Sequence, residues 1–164
     1  MKTAILGYAG SGKSYLSDFI SKNKNISVLH LDEVKWDKEW KQIDNALVLP
    51  QVSAFMKKDS WIIDGYYDYL YFNERLEDAD LIILLLLPRI TCFYRAFKRT
   101  KSRRQDGYKN DLNWWFIMFT LFGCRNKERR RMYHDISEKY KEKTVVLKTK
   151  HQVNEFIKNL ENND

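Results

Sequence analysis

A glycine-rich segment, GYAGSGKS at residues 7–14, limits what this chain can fold into more than any other feature. It fits the pattern G-x-x-x-x-G-K-S in full and follows the apolar run TAIL at 3–6. Between a strand and a helix, this pattern forms a loop whose backbone N–H groups converge on phosphate oxygens. Gly7, Gly10 and Gly12 allow φ angles that a side chain would forbid. The segment therefore predicts a phosphate-binding loop after the first strand, whereas a plain glycine turn with a chance Lys-Ser is the alternative.

The chemistry of such loops assigns a role to its last residues. We expect Lys13 to reach the β- and γ-phosphates of ATP as a point charge and the Ser14 hydroxyl to bind Mg²⁺. A GTPase is not supported, because the sequence has no Asn-Lys-x-Asp segment to bind guanine. The predicted nucleotide-binding residues are Gly7, Tyr8, Ala9, Gly10, Ser11, Gly12, Lys13, Ser14 and Tyr15.

Apolar runs alternate with helix-like stretches along the rest of the chain. The strand-like runs lie at 3–6, 26–30, 61–64, 81–87 and 144–148, and helices are predicted at 13–21, 45–56, 90–99, 111–122, 127–140 and 153–160. This alternation is typical of an α/β fold, and nearly continuous apolar runs indicate parallel strands that are covered on both faces. No repeat or Pro/Gly linker interrupts the 164 residues, so a single domain, 1–164, is expected.

Positive charge is concentrated in the second half of the chain. Residues 89–150 hold 18 Lys and Arg against 6 Asp and Glu, whereas the other residues hold 11 against 16, and the net charge is +7. Such a segment suits an anionic partner, either polyphosphate or nucleic acid, although solvated helix faces would give the same count. The basic, irregular stretch at about 100–131 is the candidate for a lid-like insertion.

Composition also predicts where the protein works. No N-terminal stretch resembles a secretion signal, and the longest uncharged apolar windows, 81–87 and 112–124, are too short to span a membrane. We therefore expect a cytoplasmic protein. Cys92 and Cys124 lie far apart without a metal-ligand pattern, so they are interpreted as buried thiols.

Two acidic residues follow strand-like runs. Asp64 closes WIID at 61–64, where a carboxylate beside the phosphate loop can serve Mg²⁺ or its water, although Asp64-Gly65 also suits a simple turn. Asp32 ends ISVLHLD and is predicted to bind an acceptor hydroxyl or act as its general base; a helix cap or surface acid is the alternative. Trp36 and Trp40 can stack on a ring of the ligand or belong to the core.

Arginines that follow the fourth strand-like run are candidates for stabilising transferred phosphate. Arg95 and Arg99 are four residues apart and share a helical face, where fixed guanidinium groups can neutralise a transferring phosphoryl group. Further candidates are Arg103, Arg104, Arg125, Arg129, Arg130 and Arg131.

Taken together, several of these segments resemble a known family. The glycine loop, WIIDG at 61–65, and Pro88 followed by Arg95 and Arg99 resemble adenylate kinase and other nucleoside-monophosphate kinases. The chain is still more similar to the bacterial DNA topology modulation proteins, small adenylate-kinase-like P-loop proteins. That resemblance rests on HLDEVKW at 30–36, WIIDGYY at 61–67, RLEDADLIILLLLPR at 75–89, RAFKR at 95–99 and the aromatic–basic stretch at 112–131.

The resemblance implies a P-loop NTPase fold: a three-layer α/β/α architecture with a five-stranded parallel sheet of order 2-3-1-4-5 and a basic helical lid. It also implies ATP-Mg on residues 7–14 with Asp64 near the metal, Arg95 and Arg99 closing over the phosphates, and Thr149–Gln152 beside the adenine. Two departures matter. Leu86 stands where relatives often carry an acid, and WIIDGYY lacks the Pro-Arg that helps adenylate kinases hold AMP.

Three functions remain open from the sequence. The first is an ATP-dependent phosphotransferase acting on a small acceptor, with nucleosides and nucleotides as the candidates. The second is a nucleotide-dependent regulatory NTPase that affects DNA topology or binds nucleic acid through residues 98–131. The third makes LNWWFIMFTLFGC at 112–124 a membrane-surface helix, although a run that is apolar nearly all round favours burial.

Overall fold

The computed structural model of the chain describes residues 1–101 and 114–162, with side chains described for 1–98 and 118–162. The strands are β1 (Lys2–Gly7), β2 (Val28–His30), β3 (Trp61–Asp64), β4 (Leu81–Leu85) and β5 (Thr144–Leu147). The helices are α1 (Lys13–Lys24), α2 (Leu31–Lys35), α3 (Asn45–Met56), α4 (Phe72–Asp78), α5 (Arg89–Lys101), α6 (Trp114–Leu121), α7 (Lys127–Lys139) and α8 (Lys150–Asn162). Short 3₁₀ turns lie at Gly123–Arg125 and Lys141–Lys143.

The five strands form one parallel sheet of order β2-β3-β1-β4-β5, as predicted. Strands β1, β3 and β4 occupy its centre, and their apolar side chains are almost fully buried, because helices cover the sheet on both faces. The predicted P-loop kinase-like fold is confirmed. In a parallel sheet with this order, ligands bind at the carboxyl ends of the strands, where the order reverses between β3, β1 and β4.

Local signals determine where the helices next to this edge begin and end. Asn126 precedes α7, and its side chain accepts a hydrogen bond of 2.8 Å from Arg129 N. Before α8, Thr149 and Gln152 cap each other: Gln152 N donates to Thr149 Oγ1 at 3.1 Å, and Thr149 N donates to Gln152 Oε1 at 3.1 Å. This reciprocal arrangement satisfies N–H groups that a helix start leaves without partners.

The structure corrects the predicted placement of Asp32. Strand β2 ends at His30, and Asp32 lies in the first turn of α2 rather than at the end of a strand. A short helix begins here because Leu31 is buried, while Asp32 and Glu33 place negative charge at its N-terminus. Helices α2 and α4, of five and seven residues, were absent from the sequence prediction.

Candidate active site

The phosphate loop is packed tightly between β4 and α5. A Cβ on Gly7 would lie 2.3 Å from the carbonyl oxygen of Leu85, and a Cβ on Gly10 would lie 2.3 Å from that of Cys92. Gly10 also has φ +73°, in the left-handed region that glycine occupies most readily. The approach of backbone to backbone therefore requires glycine at both positions.

The loop leads directly into α1, whose first turn presents unpaired N–H groups. The first helical bond of α1 joins Leu16 N to Gly12 O at 3.1 Å, so the preceding amides have no intrahelical acceptor. Lys13 begins the helix, and its Nζ donates to Tyr8 O at 3.3 Å. Backbone amides, a lysine ammonium and the positive end of a helix meet here, which is the chemistry of an anion site.

Ser14 and Asp64 are brought together by the neighbouring positions of β1 and β3. Ser14 Oγ donates a hydrogen bond of 2.8 Å to Asp64 Oδ2. Asp64 is the last residue of β3 and is only 4% exposed, yet its Oδ1 is buried without a hydrogen-bond partner in the described residues. A buried carboxylate oxygen of this kind is costly unless a ligand completes it.

His30, which the sequence analysis did not single out, completes this cluster. Its Nδ1 lies 3.1 Å from Asp64 Oδ2, and its Nε2 lies 3.0 Å from Asp18 Oδ1. The hydrogen bond to Asp64 is the main reason that the pKa of His30 rises to about 9, with Asp18 adding to the effect. A protonated imidazole donates from both nitrogens, so His30 bridges the two carboxylates at neutral pH. The one sequence signal was its position in HLDEVKW, two residues before Asp32.

Arg95 reaches the loop from α5. Its NH1 donates to Ser11 O at 2.8 Å, and a Cβ on Gly12 would lie 3.1 Å from the same nitrogen. A guanidinium group thus stands against the phosphate loop, and its role in neutralising phosphate stays a prediction. Arg99 lies in α5, but its side chain is outside the described residues.

Two further candidate arginines contact aromatic rings that follow the central strands. The Arg125 guanidinium carbon lies 3.8 Å above the ring of Tyr8, and NH2 of Arg125 donates to Leu87 O at 2.8 Å. The Arg129 guanidinium carbon lies 3.5 Å above the ring of Tyr66. Arg130 and Arg131 are exposed on α7, and Arg103 and Arg104 lie outside the described residues, as does the whole of 102–113 in the predicted insertion.

Asp32, in α2, belongs to a hydrogen-bonded group with two aromatic residues. The Tyr67 hydroxyl donates to Asp32 Oδ1 at 2.6 Å, and Trp36 Nε1 donates to the Tyr67 oxygen at 2.7 Å. Burial and the charge of Asp32 raise the pKa of Tyr67 above its usual value, so the hydroxyl keeps its proton at neutral pH. Trp36 therefore holds a neighbouring side chain by hydrogen bonding, and half-buried Trp40 follows it with φ +64°.

A buried arginine organises the loop that carries Tyr67. Arg75, in α4, is 1% exposed and donates to Leu70 O at 2.9 Å, Gly65 O at 3.2 Å and Tyr67 O at 3.1 Å. Burial lowers the pKa of Arg75 to about 10, which still leaves it charged at neutral pH. The guanidinium group of Arg75 therefore holds the backbone of the loop that begins at Gly65, directly after β3.

A groove lies between α1 and α8 and is lined by exposed side chains. Tyr15, which is 67% exposed, borders this groove with His151 and Asn154. The capped turn Thr149–Gln152, expected beside the adenine, lies at the start of α8.

Solved structures of two small-molecule kinases share this fold. A shikimate kinase from Bacteroides thetaiotaomicron superposes with a TM-score of 0.57 at 17% identity over 99% of this chain and 97% of its own. A gluconokinase from Sinorhizobium meliloti 1021 superposes with a TM-score of 0.54 at 13% identity over 97% of this chain and 88% of its own. No protein-family model matches the chain, and no curated protein matches it in sequence. At this identity the comparison shows the fold, and the resemblance to DNA topology modulation proteins stays a prediction.

Membrane-spanning helices and metal-binding clusters are both absent from the described residues. No helix in residues 1–101 or 114–162 is both long enough and apolar enough to cross a membrane. Over the same ranges, no three His, Cys, Asp or Glu side chains cluster as a metal-binding group. Cys92 and Cys124 are both free and buried, as predicted.

Proposed function

We propose that the chain is an ATP-dependent phosphotransferase that moves the γ-phosphoryl group of ATP to a hydroxyl group of a small acceptor. The observation that carries this proposal is the Ser14–Asp64 pair, which joins the phosphate loop to a buried carboxylate with an unpaired oxygen. The kinase-like fold, shared with a shikimate kinase and a gluconokinase, supports the same reaction class.

The residues at this pair fit Mg²⁺. A serine hydroxyl and a carboxylate are hard oxygen donors, and Asp64 Oδ1 has no other partner among the described residues. Mg²⁺ takes few protein ligands and fills its remaining positions with water and substrate phosphates, so a larger cluster of acidic residues is not needed. When bound, the ion would neutralise charge on the phosphate oxygens.

The other residues supply positioning and charge. Lys13 and the first amides of α1 hold the β- and γ-phosphates, and Arg95, with Arg99 beyond it, stabilises the negative charge that spreads over the transferring group. In the reaction, the bond from the γ-phosphorus to the ADP oxygen breaks and a bond to the acceptor oxygen forms. The hydroxyl proton leaves toward Asp32, which binds the acceptor and acts as its general base.

The acceptor is best sought among neutral and anionic hydroxyl compounds. Shikimate and gluconate enter the panel because the structural neighbours are a shikimate kinase and a gluconokinase. Nucleosides and nucleoside monophosphates enter it because the sequence resembles adenylate kinase. ADP production is measured with each compound and without any, using Lys13→Ala as the blank.

One acceptor should raise ADP production far above the rate without acceptor, and the rise should vanish in Lys13→Ala. If ATP binds and no compound changes the rate, the phosphotransferase proposal is wrong. The regulatory NTPase would then be the remaining hypothesis, and nucleic-acid binding at varied salt would be measured next.

A further inference from the structure

The hydrogen bonds among Trp36, Tyr67 and Asp32 run in a single direction that chemistry fixes at both ends. The indole Nε1–H of Trp36 can only donate, and an ionised carboxylate can only accept. The Tyr67 oxygen, 2.7 Å from Trp36 Nε1, must therefore be the acceptor there, and its hydroxyl proton points to Asp32 Oδ1 at 2.6 Å. No other arrangement of the protons satisfies both contacts.

Backbone hydrogen bonds also hold Trp36 and Tyr67 in place. Trp36 N donates to Asp32 O at 3.0 Å, which closes α2 and fixes the spacing of the two residues. The backbone of Tyr67 is held by the buried Arg75, which donates to Tyr67 O at 3.1 Å. The tyrosine hydroxyl thus connects α2 to the loop after β3 and leaves the Asp32 carboxylate little rotational freedom.

We propose that Tyr67 and Trp36 are positioning residues that hold the exposed Asp32 carboxylate for the acceptor hydroxyl. This inference rests on the proposed function and assigns the orientation of its base. Oδ1 is already used by Tyr67, so Oδ2 is the oxygen that receives the acceptor hydroxyl. The group bound there is an uncharged hydroxyl, because a phosphate or carboxylate oxygen at that place would meet the negative charge of Asp32.

Removing the Tyr67 hydroxyl should therefore lower kcat/KM for the acceptor without changing KM for ATP. Tyr67→Phe keeps the ring and removes the bond to Asp32, so the carboxylate can rotate away from the productive geometry. We expect kcat/KM for the acceptor to fall about 10- to 100-fold, as for other losses of alignment or of a general base. KM for ATP should stay unchanged, since the hydrogen bonds described for Tyr67 and Asp32 go to Trp36, Arg75, Leu70 and each other rather than to the phosphate loop.

The experiment compares Tyr67→Phe and Trp36→Phe with a matched control, Tyr69→Phe. Tyr69 lies two residues on, is 41% exposed, and its ring lies 5.9 Å from the ring of Tyr67. Each variant is assayed with the panel compound that most raises ATP turnover by the unmodified chain. Trp36→Phe should act more weakly than Tyr67→Phe, because it leaves the hydrogen bond between Tyr67 and Asp32 in place.

A second readout does not depend on turnover. In NMR spectra of protein labelled with ¹⁵N-tryptophan, the indole N–H resonance that disappears in Trp36→Phe is assigned to Trp36. That resonance should shift in Tyr67→Phe and stay in place in Tyr69→Phe. Thermal unfolding of each variant shows whether any loss of activity reflects a loss of folded protein.

The decisive comparison uses Asp32→Asn as the background. If Tyr67 acts through Asp32, adding Tyr67→Phe to Asp32→Asn should lower kcat/KM no further. An equal loss in both backgrounds, or wild-type kcat/KM in Tyr67→Phe, overturns the inference while the phosphotransferase proposal stands. If no panel compound raises turnover by the unmodified chain, the proposed function fails first and the inference falls with it.

Discussion

Ser14 Oγ and Asp64 Oδ2 lie 2.8 Å apart, although 50 residues separate them in the chain. The parallel pairing of β1 with β3 brings them together, because Ile5 is in register with Asp64 and the loop after β1 returns over the end of β3. The hydroxyl that is expected to bind Mg²⁺ is therefore held beside the carboxylate that is expected to share it.

Removing the Ser14 hydroxyl should weaken the response to Mg²⁺. Ser14→Ala deletes one proposed metal ligand and leaves the carboxylate of Asp64 in place. We expect the Mg²⁺ concentration that gives half-maximal ATP turnover to rise about tenfold or more, as for the loss of other metal-binding contacts. A Mg²⁺ titration of turnover measures it. Ser27→Ala, at an exposed position outside the site, should titrate like the unmodified chain, and an unchanged Ser14→Ala curve would remove Ser14 from the metal site.

The tight packing of the loop predicts unequal costs for two glycine substitutions. Gly10→Ala places a Cβ against the backbone oxygen of Cys92, whereas Gly12→Ala meets the end of the Arg95 side chain at 3.1 Å. Both have positive φ, so both pay the left-handed penalty of roughly 1–2 kcal/mol. Gly10→Ala should lower the free energy of unfolding by about 1–3 kcal/mol more than Gly12→Ala, because a backbone carbonyl, unlike the end of a side chain, cannot move without shifting the main chain. Denaturant unfolding gives both values, and a larger loss in Gly12→Ala would contradict the packing argument.

The His30 bridge predicts a pH-dependent contribution to stability. The pKa of His30 is raised from 6.5 to about 9 in the folded protein by its hydrogen bonds to Asp64 and Asp18. Its stabilising effect is therefore fully present below pH 6.5 and is lost as the pH rises through about 9. Near pH 6 in metal-free buffer, His30→Gln should melt about 4–8 °C below the unmodified chain.

The same comparison near pH 10 should show a smaller difference, since the imidazole is then neutral in both folded and unfolded chains. His134→Gln is the matched control, because His134 is an exposed histidine on α7. Its melting temperature should follow the unmodified chain at both pH values. A His30→Gln difference that stays constant from pH 6 to pH 10 would show that the bridge is not charged.

The buried Arg75 should be required for stability. Arg75→Met leaves the carbonyl oxygens of Gly65 and Leu70 without their donor, whereas Tyr67 O keeps a second donor, Leu70 N, at 3.3 Å. Unpaired buried carbonyls cost about 1–3 kcal/mol each, so a loss of about 2 kcal/mol or more is expected in the free energy of unfolding. Arg131→Met is the control: that side chain is 83% exposed, and its loss should change stability by less than about 0.5 kcal/mol. Equal melting temperatures for the two variants would contradict the anchoring role.

Arg95 should matter for turnover more than for folding. Arg95→Met removes a guanidinium from the phosphate loop, and loss of such a group costs about 10²-fold or more in kcat. Arg89→Met is the matched change on the same helix, where the Arg89 guanidinium carbon lies 4.9 Å above the ring of Phe122. It should keep kcat within about twofold of the unmodified chain, in line with a solvent-facing substitution. If both variants turn over ATP equally well, Arg95 does not act on the phosphates.

The sheet could be predicted from sequence because its central strands are short apolar runs between turn residues. LIILL at 81–85 and WIID at 61–64 are buried on both faces, and such runs have few other structures available to them. Asp64 was found for the same reason, since a polar residue that ends a buried strand must lie at the sheet edge.

The remainder of the site depends on contacts that no local pattern encodes. Arg75 lies among charged residues, RLEDAD, that suggest a solvated helix, and only the folded chain shows that it is buried beneath a loop. His30 pairs with Asp18 and Asp64 from two other elements, so its sequence neighbours reveal neither partner. Asp32 was placed on a strand because four of the six residues before it in ISVLHLD are apolar, whereas the chain enters α2 at the buried Leu31, one residue earlier.

The three carbonyl bonds of Arg75 also bear on how this protein can change. Because main-chain oxygens accept these bonds, they can form whichever side chain stands at the exposed position 69. Position 69 can therefore be varied as a library while Arg75 still holds the backbone of the segment. Under the proposed function, such variation would change the surroundings of Tyr67, whose ring lies 5.9 Å from that of Tyr69, and leave the phosphate loop as it is.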